Sequence, residues 1–292
     1  MYKTICMLLL SGVLVGIQSV QAAPLKAKLV MPGDKSWDGV VIGRDGDWIE
    51  FATGQSARSI RVGASTIKEL VFDVKIDKEK LNEMNRNREY ERVIAALDRT
   101  IETYADYFDI PSNLVEYNIL LMELYFKTGN YEKSLAISSK ISSDDRDPEL
   151  QEKSRIFQAL ALIESGRASE AEALLSEYGW DENLGDDAPP EKLYIAAKLM
   201  VLKEEYNAAM ELVAKIIAFN SQNPDWMRPA ELFCAEVYTE LGMYESAEEV
   251  IRQIAMLYKD TSEDDEAKKL QLRIEKLQAE EELNKSLNTE EA

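Results

Sequence analysis

Four stretches of this chain repeat one another around a shared turn. Glu123–Tyr131, Leu160–Ala168, Lys198–Tyr206 and Glu236–Tyr244 align, with positions 129, 166, 204 and 242 at the turn, spaced 37, 38 and 38 residues apart. Gly fills three of those positions and Glu204 the fourth. Five residues beyond each turn come Ser134, Ala171, Ala209 and Ala247, all small. Four further on come Ser138, Leu175, Val213 and Ile251. The pattern predicts a helix, a tight turn, and a second helix whose small residue lets the two pack closely.

These residues resemble the tetratricopeptide repeat, over roughly residues 112–259. The column Tyr125, Leu162, Met200 and Tyr238 matches that family's large residue near the end of the first helix. The period of 37–38 is longer than the family's 34, Glu204 replaces a turn Gly, and the family's Trp is missing from the first helix. Extra residues therefore fall in loops, where Asp147-Pro148 and Asn223-Pro224 read as N-caps followed by Pro at the first helical position. A degenerate unit precedes these, with Lys78–Asn87 as first helix and Tyr90, Val93 and Leu97 on the second-helix columns. At the other end, Ser262-Glu-Asp-Asp265 reads as a capping box. Leu270, Ile274 and Leu277 form one apolar stripe after it, the pattern of a solenoid cap rather than of a coiled-coil dimer.

The period changes toward the N-terminus. Between Leu25 and Val74 apolar residues alternate, with strands expected at Trp37–Ile42, Trp48–Phe51, Arg58–Val62 and Glu69–Val74. Asp45-Gly46 supplies a hairpin turn, and Gly63–Thr66 a second tight turn. Five short strands in about 50 residues predict a small antiparallel barrel, similar in pattern to SH3-like or Sm-like barrels but without their ligand motifs. The first 22 residues read as an export signal. Lys3 is the only charge, Ile5–Ile17 is apolar, and Val20-Gln21-Ala22 suits a signal peptidase cutting after Ala22. Thirteen apolar residues reach about 20 Å as a helix, short of a membrane's core of about 30 Å.

The expected organisation is a signal peptide (1–22), a small β domain (23–74), tetratricopeptide-like repeats (75–260), a capping helix (261–287) and a disordered tail (288–292). The fold class is mainly α, a solenoid of helix-turn-helix repeats preceded by a small antiparallel β-barrel-like domain.

Composition restricts the chemistry. The chain has no His, which removes Ser-His-Asp and Cys-His catalysis and His-ligated metals. With 34 Lys+Arg against 54 Asp+Glu, its net charge of −20 disfavours nucleic acid as a partner. Past the signal only Cys234 remains, in an apolar setting that predicts a buried core thiol. The acidic stretch Asp181–Asp187 lacks the spacing of a calcium loop and reads as a solvated loop ending at Pro189-Pro190. No catalytic residue, metal site or cofactor is expected.

The family resemblance implies that the first helices line a concave groove. In the present register its exposed positions are Ile119, Glu123, Phe126, Ile156, Leu160, Ile163, Tyr194, Lys198, Val201, Leu232 and Glu236. This mixture of apolar and charged residues suits a peptide or helix with apolar anchors, although the same residues serve equally for packing between units. The chain thus reads as an exported, non-enzymatic interaction scaffold of a bacterial envelope, with a protein or peptide partner. The alternative is a cell-wall or glycan binding module in which Trp37 and Trp48 stack on the ligand, although as strand residues they suit packing better.

Overall fold

The computed structural model describes residues 24–53, 59–142 and 147–290, the last six by backbone alone. The expected signal peptide and Cys6 lie outside these residues, as does Arg58. The described residues form two compact units, one of residues 24–88 with 95–117, the other of residues 89–94 with 118–290.

The first unit is built on five antiparallel strands: β1 (Leu25–Val30), β2 (Ser36–Asp45), β3 (Trp48–Thr53), β4 (Ser59–Gly63) and β5 (Glu69–Phe72). Their order is β4-β3-β2-β1-β5, so among the described residues β4 and β5 are the edges of a sheet, and no pairing closes it into a ring. Alternation works as the sequence implied, with Leu29, Val41, Ile49, Phe51, Leu70 and Phe72 buried on one face. The Asp45-Gly46 pair turns between β2 and β3, with Gly46 at φ 56° and Asp45 opposite Trp48. Gly39 has a different role. A Cβ there would sit 2.1 Å from the Ala52 carbonyl oxygen and 2.8 Å from the Phe51 ring, so only Gly lets β2 approach β3.

Residues that the sequence assigned to the helical region also belong to this unit. Helix α1 (Lys78–Arg86) is followed by Arg88 at φ 58°, and α2 (Tyr90–Ile101) runs into a 3-10 turn at Glu102–Tyr107. Tyr104 and Tyr107 pack their rings on Phe72, with centroids 4.9 and 5.5 Å away. The Asn113 amide acts as a short extra strand, accepting from Phe72 N–H and donating to Phe72 C=O, each at 2.9 Å. Arg44 on β2 makes a bidentate bond to Asp109 at 2.5 and 2.7 Å and also reaches the Asp106 carbonyl. The reason these residues leave the repeat pattern is their chemistry: paired tyrosines and an Asn-Asp loop suit a sheet edge, not a helix column.

The second unit holds the repeats. Helix α3 (Val115–Lys127) leads into it, and α4 (Tyr131–Ser142) completes the first hairpin. Then follow α5 (Pro148–Glu164) with α6 (Ala168–Glu177), α7 (Pro190–Leu202) with α8 (Tyr206–Phe219), and α9 (Pro224–Glu240) with α10 (Tyr244–Leu257). All four aligned turns share one backbone solution. Gly129, Gly166, Glu204 and Gly242 have φ of 74, 73, 62 and 70°. The next residue's N–H bonds five residues back in each: Asn130 to Tyr125, Arg167 to Leu162, Glu205 to Met200 and Met243 to Tyr238, at 2.8–2.9 Å.

The small-residue column is equally regular. Ser134, Ala171, Ala209 and Ala247 are all at 0% exposure, facing Met122, Ala159, Ala197 and Ala235 in the first-helix column, also at 0%. Where Ser replaces Ala, its hydroxyl donates to the Met122 carbonyl at 3.0 Å, so the buried polar group is satisfied. Asp147 and Asn223 cap α5 and α9 as expected.

Helix α11 (Ser262–Glu290) caps the stack, burying Ala267, Leu270 and Ile274. Its cap lies one residue earlier than the sequence suggested: Thr261 Oγ1 accepts from Asp264 N–H at 3.3 Å, and the Asp264 carboxylate accepts from Asp260 N–H at 3.0 Å. The helix also continues into the segment expected to be disordered. Tyr244 donates to Glu281 at 2.9 Å and holds it against α10.

Candidate functional site

The eleven groove residues all fall on first helices of the repeats, but they separate by chemistry. Ile119, Leu160 and Ile163 are buried, and Leu160 and Ile163 belong to the core between neighbouring hairpins. Phe126, Ile156, Tyr194, Val201 and Leu232 are half-buried and pack on the same inter-hairpin cores. For the apolar members packing dominates, because each next hairpin covers the face that the register alone left open. The charged members stay at the surface of the groove.

Those charges form a ladder from one first helix to the next. Glu123 on α3 pairs with Lys153 on α5. Glu164 on α5 accepts from Lys198 Nζ on α7 at 2.9 Å, Glu236 on α9 lies 3.7 Å from the same ammonium, and Glu240 pairs with Arg273 on α11 at 2.8 Å. Lys198 also lies over the Phe233 ring, 4.9 Å from its centroid, and 6.0 Å from that of Tyr194. Tyr194 in turn contacts Trp226 and Phe233, each with centroids 5.5 Å apart.

Burial alone would push the Lys198 ammonium toward neutrality, but Tyr194, Glu236 and Glu164 outweigh it and raise its pKa. Burial pushes the Tyr194 hydroxyl up to about 12. Glu236 is also raised, first by burial and then by Glu164 and Glu266, with Lys198 opposing.

Sequence reasoning missed Glu164, Glu263, Glu266 and Tyr131. Glu266 on α11 acts electrostatically on Glu236 and also on Tyr131 at the start of α4. A flat stack of helices about 8–10 Å apart would place α4 and α11 roughly 30 Å apart, where such an effect is lost to screening. The first-helix face is therefore concave. Glu164 had a usable signal, since it sits two residues before its turn, in the same column as Glu240.

Trp37 and Trp48 do not form a pair. They are 41% and 50% exposed, so neither is core. Trp48 lies opposite Asp45, eight residues along β2 from Trp37, a separation of about 26 Å at strand rise. Arg61 covers the Trp48 ring at 5.7 Å.

In the Asp181–Asp187 loop, Lys215 from α8 donates to the Leu184 carbonyl at 2.8 Å and lies 4.0 Å from Asp186, so a base does balance it. Among the described residues no group of three or more Cys, Asp or Glu could hold a metal ion. Burial raises the Cys234 thiol to about 11, and Lys198 is held protonated, so neither is a nucleophile at neutral pH. The arrangement can bind through charge, rings and shape.

No family model and no curated protein matches the chain. Among solved structures it is similar to the nearly identical TPR-like repeats of a Podosopora anserina kinesin light chain protein, at 15% identity, TM-score 0.42, covering 61% of this chain and 91% of that one. It is also similar to MamA from Desulfovibrio magneticus RS-1, at 11% identity, TM-score 0.36, covering 63% and 95%. The second unit is a tetratricopeptide-like repeat array by its own internal geometry: four equivalent turns, two columns of small residues and one capping helix.

Proposed function

We propose that this protein is an exported, non-enzymatic interaction scaffold whose repeat unit holds a segment of another protein along the concave first-helix face. The observation that carries this reading is the juxtaposition, on that face, of half-exposed rings with charged groups drawn from α5, α7, α9 and α11. Lys198 and Glu236 keep 19% and 38% of their side-chain surface. Rings beside partly open charges are what a groove needs to anchor and orient a peptide. Export rests on the pattern of residues 1–22, and no helix of the described residues is long and apolar enough to cross a membrane.

Because Leu160 is core, replacing it with Asp would unfold the array rather than test the groove. A photo-crosslinking residue at Phe126 or Val201 is the better probe, with Phe219, 59% exposed at the end of a second helix, as control. In the native envelope, adducts at 126 and 201 and none at 219 are expected. Equal labelling at all three would remove the groove assignment. The second reading, a glycan module in the β domain, retains only single exposed rings at opposite ends of β2. Wall binding that is lost on substituting Trp37 or Trp48 alone would restore it.

A further inference from the structure

We propose that the groove takes a cationic side chain, a Lys or Arg projecting from the bound segment, between Glu236, Glu263 and Glu266 beside Tyr194. The inference rests on the groove reading above and adds the chemistry of what fills it.

The argument is one of unequal charge. One ammonium, Lys198, serves two carboxylates, Glu164 at 2.9 Å and Glu236 at 3.7 Å. Glu266 has Lys269 at 2.6 Å, while Glu263 receives only the Ser262 hydroxyl, at 3.1 Å. Arg228, the other cation near this end, is stacked on the Tyr258 ring. Four carboxylates thus meet two ammonium groups, leaving an excess of negative charge in a recess where water is partly excluded. An under-compensated recessed carboxylate must either take a proton or attract a cation.

The groove already shows how it seats one. Lys198 combines an aromatic face, Phe233, with flanking carboxylates. Tyr194 offers a second ring beside it, and Glu263 acts electrostatically on that tyrosine. An incoming ammonium or guanidinium would meet the same kind of surroundings, a ring with carboxylates beside it. Phosphopeptides and acidic C-termini are disfavoured on the same grounds.

The test uses the full chain and three fluorescein-labelled 12-residue helix-forming peptides that differ only on one face, bearing lysine, norleucine or glutamate. By anisotropy at low salt, the lysine peptide is expected to bind about tenfold tighter than the norleucine peptide, and the glutamate peptide not measurably. A Glu236→Gln/Glu263→Gln variant should lose most of that advantage while keeping norleucine affinity. Glu211→Gln/Glu245→Gln, which removes the same charge from exposed second-helix positions, should leave it intact. Val201→Arg should weaken lysine and norleucine peptides alike by filling the groove. If the surface double variant costs as much as the groove variant, attraction is non-specific and the inference fails. If norleucine binds as tightly as lysine and Val201→Arg weakens it, the groove stands and the cation does not. If Val201→Arg weakens nothing, or no peptide binds, the groove reading falls as well. Far-UV circular dichroism establishes that each variant is folded.

Discussion

In the sheet unit the stabilising polar contacts join residues far apart in sequence: Arg44 to Asp109 spans 65 residues, and Asn113 to Phe72 spans 41. In the repeat unit the recurring turn bond reaches back only five residues and occurs four times at the same length. The small sheet buries too little surface to do without specific side-chain ties. The helical hairpins instead rely on identical small-residue contacts, each unit supporting its neighbour. Damage to the first unit should therefore stay within it, while damage to a repeat should pass to the hairpins on either side.

The strongest challenge to this contrast is Ala209→Leu. Forcing a leucine into the fully buried column opposite the first helix should cost about 3 kcal/mol. Urea unfolding followed by helical circular dichroism should show it, with amide protection lost in both flanking hairpins; loss confined to α8 would argue against nearest-neighbour coupling. Next comes Asn113→Ala, which leaves Phe72 without two bonds and should cost about 2 kcal/mol. Hydrogen exchange should quicken at Leu70 and Phe72 and stay unchanged on α7 and α9. A smaller effect of opposite sign is expected at the one unusual turn. Glu204 holds φ 62° without being Gly, so Glu204→Gly should raise stability by about 0.5–1 kcal/mol, read as a higher urea midpoint.

The smallest concerns Glu236. Its pKa is raised in the folded chain, so the folded state binds the proton more tightly and stability falls as pH rises from the ordinary carboxylate range. Glu236→Gln should thus stabilise the protein at pH 7, by less than about 1 kcal/mol since the side chain is over a third exposed, and make no difference near pH 4. The groups facing it are Lys198, Glu164 and Glu266. An equal effect at both pH values would mean that charge is not the cause.

Much of the repeat unit was legible because its determinants are local and recur. The turn glycines, the Ser134-Ala171-Ala209-Ala247 column, and the caps at Asp147 and Asn223 each act within a few residues, so spacing alone reveals them. Glu204 could be placed at a turn despite its chemistry because the columns around it were intact. The strands were readable by alternation, yet the role of Arg44, Asn113 and the two tyrosines was not, since nothing local marks residue 113 as the partner of residue 72.

The site follows the same division. Its first-helix register could be counted, but that Leu160 is core and Glu236 open depended on which neighbour covers each. Sequence by itself determined the unit, its turn, its small-residue seams and its excess of acid. Only the tertiary structure decided the curvature that brings Glu266 of α11 toward Tyr131 of α4, and hence which carboxylates share the single Lys198. Helix and turn propensities are set by contacts within one unit, whereas curvature accumulates from small rotations between units and fixes electrostatic neighbours that no period records.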